Sequence, residues 1–108
     1  MKIPQHVRIA GVDYAVEMRE HLNDQENVLR GQILYNDSLI LLNPCNHGHQ
    51  ALSQTLLHEV LHGIFYHYGI QLEEKEEEVV VDRLAHGLYQ VLQDNARKLF
   101  DLAKEPTT

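Results

Sequence analysis

Between Thr55 and Phe65 the chain carries a single charged side chain, Glu59, and that carboxylate lies inside the run His58-Glu59-Val60-Leu61-His62. A solvated surface helix is not built this way, so the stretch predicts a helix held inside the protein. Residues four apart on a helix stand over one another with Cβ atoms roughly 5–6 Å apart, close enough for two imidazoles to grip one ion. Glu59 is turned about 100° from His58 by the helical period. It is thus placed to hold a water beside a metal without being a ligand, which is where a general base is needed. A buried carboxylate without a nearby Lys or Arg also requires another positive partner, and a metal ion supplies one. The competing reading is a buried helix whose histidines are satisfied by local hydrogen bonds.

A chain of 108 residues is expected to form one domain, 1–108, with a core but no independent second module. Hydrophobic residues at 44% and charged residues at 23% fit a globular protein. The formal net charge of −7 repels phosphate backbones and anionic membranes, which argues against nucleic-acid or membrane binding as the main activity. Cys45 is the only cysteine, so no internal disulfide can form and a reducing compartment is expected. Met1 to Ala10 has no apolar run long enough for a signal peptide. A cytoplasmic location follows as the expectation.

Strand patterning fills the first half. His6 to Ala10 and Tyr14 to Met18 alternate across Gly11-Val12-Asp13 and read as a hairpin. Arg19 to Arg30 reads as a connection. Gln32 to Tyr35 and Ser38 to Leu42 flank the turn residues Asn36-Asp37, predicting a second hairpin that Asn43-Pro44 ends. The period then changes. A helix is expected from about Gln50 to Tyr68, with Gly69 as its C-terminal cap, and a second from about Glu73 to Asn95. Val81, Leu84, Ala85, Leu88, Val91 and Leu92 form the apolar stripe of that second helix. Arg97 to Ala103 extends it or forms a further short helix, and about 104–108 reads as a flexible tail. The expected class is α+β, with antiparallel hairpins forming a small sheet packed on two helices.

Two histidines do not complete a catalytic zinc site, which takes three protein ligands and keeps a fourth position open. One known arrangement adds a third histidine six residues beyond the second, with glycine three beyond it. Here those positions hold Tyr68 and Phe65, and His67 lies about 180° round the helix from His58. The second helix offers Glu78 and Asp82, four apart on one face beside the apolar stripe. We assign Glu78 as third ligand, with Asp82 accepting the outer N–H of a zinc-bound histidine. Asp82 as ligand remains an alternative, as does Glu77. Glu73, Glu74 and Glu76 fit a solvated helix start. His86 continues the Glu78/Asp82 stripe and either lines the site, where it could donate to a developing oxyanion, or is a partly buried structural histidine. Cys45, His47 and His49 resemble a second metal cluster, but their asparagine- and glycine-bearing loop reads as an ordinary turn. Tyr66 and Tyr68 read as packing residues.

Thr55 to Ile64, with uncharged residues around the two histidines, resembles the extended motif of small zinc metallopeptidases of the gluzincin kind. Glu78-Val79-Val80-Val81-Asp82 is similar to the family's second element, a glutamate ligand followed four residues later by an acidic partner. The order of elements, and Val80 to Asn95 in detail, resemble minimal peptidase cores of ImmA/IrrE-like and phage- or prophage-encoded proteins. The resemblance covers roughly the second half of the chain. It implies a zincin-like fold, a Zn2+ cofactor and a peptide or protein substrate, such as a regulatory protein. No residue here matches the tyrosine or histidine with which larger relatives stabilise the tetrahedral intermediate.

The expected activity is zinc-dependent hydrolysis of peptides with Glu59 as general base. An extended substrate would pair with an edge of the Gln32–Leu42 hairpin. The rivals are a regulatory protein in which zinc is a structural clamp, and a protease that acts only with a bound partner.

Overall fold

The computed structural model describes residues 2–25, 27–45 and 48–104. Strand β1 (His6–Ile9) pairs antiparallel with β2 (Val12–Met18), and the link between them is Ala10-Gly11, both left-handed at φ 51° and 80°. A two-residue turn of that hand matches the twist of the flanking strands. The turn therefore closes earlier than Gly11-Val12-Asp13, because Val12 already pairs with Ile9. The connection after β2 carries a short hairpin of its own, β3 (Asn23–Asp24) with β4 (Asn27–Val28), anchored by the buried Leu22.

The second hairpin joins β5 (Gly31–Leu34) to β6 (Leu39–Leu42) in antiparallel register, with Ile33 opposite Ile40. The two hairpins meet through β2 and β6, and that pair is parallel, with Ala15 opposite Leu39 and Met18 opposite Leu42. The sheet is accordingly mixed, in the order β1-β2-β6-β5, rather than wholly antiparallel. The reason lies in β6. Ile40, Leu41 and Leu42 are all essentially inaccessible to solvent, and a strand that apolar on both faces belongs at the centre with neighbours on both sides. This leaves β5 at one edge.

Helix α1 (His49–His67) lies across the sheet, where Leu56, Leu52, Val60 and Ile64 pack with Ile9, Tyr14, Ile40 and Leu42. Its opposite side is covered by α2 (Glu74–Leu102), through Leu61 and Phe65 against Val81 and Ala85. Being the middle layer explains why α1 is so poor in charge. The helix ends at Gly69, whose φ of 71° lets the Ile70 N–H donate to the Phe65 carbonyl at 2.9 Å. That closed turn sends α2 back along α1.

Helix α2 runs without a break through Arg97 to Leu102, so its 29 residues exceed the span expected from the stripe alone. Its length of about 43 Å outreaches α1. Val81 and Ala85 are buried, whereas Leu84 and Val91 remain largely in water. Among the described residues no helix is long and apolar enough to cross a membrane. The tail expected over 104–108 lies, apart from Lys104, outside the described residues.

Candidate metal centre

His58 and His62 leave α1 on the side where the first turns of α2 pass. Their Nε2 atoms are 3.1 Å apart. Glu78 reaches across from α2, with Oε2 3.3 Å from His58 Nε2 and Oε1 2.9 Å from His62 Nε2. These three are the group among the described residues able to hold a metal ion. A fit test follows from bond lengths. Donors about 2.05 Å from a tetrahedral ion stand roughly 3.3 Å from one another, close to the separations found here. Two imidazole nitrogens and a carboxylate also suit a borderline-soft divalent ion.

One of the two outer nitrogens is held as well. His62 Nδ1–H donates to Glu77 Oε2 at 2.6 Å, and His58 Nδ1 faces Asp82 Oδ1 at 3.6 Å. The Glu77 carboxylate on Nδ1 turns the His62 Nε2 lone pair toward Glu78. Burial, and then the neighbouring His62, lower the pKa of His58, favouring the neutral form a metal requires.

Glu77, an alternative ligand by sequence, instead meets His62 at the outer nitrogen. The pattern does contain the clue. Glu77 stands four residues before Val81 and eight before Ala85, so it lies on the buried stripe, where a carboxylate needs a partner. Asp82 lies near the outer nitrogen of His58, at 3.6 Å and short of a hydrogen bond. His86 lines the cleft but is exposed, and its Nδ1–H donates to the Asp82 carbonyl at 2.8 Å, so it is not a partly buried structural histidine. Cys45 lies in a turn in which its N–H donates to Asn43 Oδ1, and His49 opens α1 on the surface. Among the described residues neither joins a metal-capable group, and His47 is outside them.

Glu59 is 7% exposed, and its carboxylate reaches the start of β5. Gly31 makes the room. A Cβ there would stand 2.6 Å from Thr55 Cγ2 and 3.1 Å from Glu59 Oε2, so only glycine lets the strand edge pass this close. Burial, with Glu78 adding repulsion, pushes the Glu59 carboxyl up to about 7 against a pull downward from His62. Among the described residues it makes no ion pair with Lys or Arg. Tyr35, which the sequence did not single out, lines the same cleft; its hydroxyl donates to the His62 carbonyl at 3.2 Å. Five carboxylates (Glu59, Glu74, Glu77, Glu78 and Asp82) line the cleft against one guanidinium, Arg30, which makes it attractive to cations.

The raised Glu59 pKa has a sign that can be tested in the chelator-treated protein. The folded state holds this proton more tightly than the unfolded chain, so the stability tied to Glu59 is full below about 4.5 and is lost as pH rises to about 7. The loss should be roughly 3 kcal/mol. Urea unfolding of wild type and Glu59→Gln at pH 5 and pH 8 checks this, since titrations common to both proteins cancel. The variant should gain relative stability at pH 8; a pH-independent difference would contradict the buried, raised carboxyl.

Comparison with protein-family models, with curated proteins and with solved structures gives no match for this chain. The geometry therefore carries the functional argument.

Proposed function

We propose that the chain is a zinc-dependent peptidase of the gluzincin kind, similar to the small ImmA/IrrE-like and phage-encoded enzymes that its second half resembles. One observation carries the reading. A buried carboxylate that makes no ion pair with Lys or Arg among the described residues, Glu59, stands beside a two-histidine, one-glutamate donor set that faces an open cleft.

His58, His62 and Glu78 would hold the ion, with Glu77 and Asp82 keeping the imidazoles in orientation. Bound zinc supplies Lewis acidity, lowering the pKa of a water toward ~7 and polarising a carbonyl. Glu59 takes the proton from the attacking water and passes it to the leaving amine. A carboxyl whose pKa is already near neutrality is suited to both transfers. The free edge of β5 passes directly over Glu59 at Gly31, and strand addition there brings an extended peptide past the donor set. Substrates are thus peptides or proteins, including a regulatory protein that acts as both partner and target.

A zinc clamp joining α1 to α2 would use the same three donors but gives no role to Glu59. The deciding experiment is hydrolysis of an unstructured protein by the zinc-loaded chain. Turnover should vanish with a chelator and return with added zinc. Turnover that persists after complete metal removal would reject the proposal.

A further inference from the structure

Beside the metal cleft lies a second groove, which shares Tyr35 and Glu77 with it and is otherwise lined by Phe65, Tyr66 and the loop from Gly69 to Leu72, apolar but for Gln71. Resting on the peptidase reading, we propose that this groove is the specificity pocket of the site and receives a large apolar side chain of the substrate, aromatic or long aliphatic.

Folding leaves the wall of this groove wet. Tyr66 is 57% exposed, Ile70 44% and Leu72 41%, although all three lie beside the buried Phe65. Scattered apolar residues on a surface are ordinary, but these line one concavity. The wall is also preformed. Tyr35 and Tyr66 stack with centroids 3.9 Å apart and planes 7° from parallel, and the Tyr35 hydroxyl is tied to the His62 carbonyl. Ile70 is fixed by its N–H bond to Phe65 at the close of α1. A side chain entering here meets rigid surfaces and orders little in doing so.

The wall shared with the metal cleft identifies the occupant. Glu77, the one ionisable carboxylate in the groove, is the outer partner of His62, so the groove begins one imidazole's width from the donor set. That carboxylate is engaged by His62 Nδ1–H, leaving little to offset the desolvation of a charged side chain, and it repels an acidic one. Tyr35 follows β5 directly, so a peptide paired along that edge from Gly31 runs into the groove.

Two pairs of hydroxamic-acid peptidomimetics test the assignment on the zinc-loaded protein, carrying phenylalanine or glycine on one or the other side of the chelating group. In one pair the phenylalanine probe should bind at least 10-fold tighter than its glycine counterpart, the scale of apolar-pocket discrimination. The double variant Ile70→Asp/Leu72→Asp, altered at exposed loop positions away from the ligands, should bring that pair near parity while binding the glycine probe as wild type does. Equal affinities in both pairs, or an advantage that survives in the variant, would overturn the proposal. Peptide turnover separates the two readings. Expected affinities without turnover of any peptide support the groove and count against the peptidase; turnover indifferent to apolar residues near the cut counts against the groove alone.

Discussion

Glu59→Gln should retain zinc at the wild-type stoichiometry and lose about 10²–10⁴-fold in kcat, the range that a positioned proton-transfer group contributes. The substitution keeps the size and shape of the side chain under Gly31, where an added Cβ would already stand 3.1 Å from its oxygen. It removes only the ability to take a proton from water and deliver it to an amine. Metal analysis and steady-state kinetics on the same preparation check both halves. Unchanged turnover would reject the role given to Glu59, and loss of zinc would mean that Glu59 supports the ion directly. The clamp reading expects something different: a buried carboxylate with no Lys or Arg beside it among the described residues is then only a burden, and its replacement should stabilise the chain without touching any activity.

The second large effect concerns the acidic start of α2. Glu78→Ala should weaken zinc binding well beyond 100-fold, because it removes a donor that stands within 3.3 Å of both imidazole Nε2 atoms. Glu77→Ala and Asp82→Ala should each cost about 10–100-fold, the usual price of losing an outer partner of a ligating histidine. Of these two, Glu77 should matter more, since its oxygen is 2.6 Å from His62 Nδ1 whereas Asp82 lies 3.6 Å from His58 Nδ1. Competition with a chromophoric chelator ranks the three variants. Full affinity in Glu78→Ala, with collapse in Asp82→Ala, would transfer the ligand role to Asp82.

Several features were legible in the residues because they depend on near neighbours. Both hairpins follow from alternation bounded by turn-forming residues. The extent of α1 follows from its unbroken apolar run and from Gly69, which no other residue replaces as easily at a φ of 71°. That His58 and His62 face one point is a consequence of four-residue spacing on any helix.

What a chain alone determines is which side chains share a strand face or a helix face, since the backbone repeat converts spacing directly into direction. Which faces then meet is decided across the fold. The parallel β2–β6 pair joins strands separated by two turns and a small hairpin, and it exists because Leu39 to Leu42 needs cover on both sides. Glu77, Glu78 and Asp82 all lie within two turns of one helix, and each residue along it swings the side chain by about 100°. Only the seating of Val81 and Ala85 against Leu61 and Phe65 sets the rotation of α2, placing Glu78 among the donors with Glu77 and Asp82 behind the rings. The nearness of Gly31 to Glu59, and of Tyr35 to Tyr66, likewise arises when the sheet edge and α1 are packed together. Local geometry supplied the chemical groups, and packing of apolar surfaces far apart in the chain assigned each of them its place.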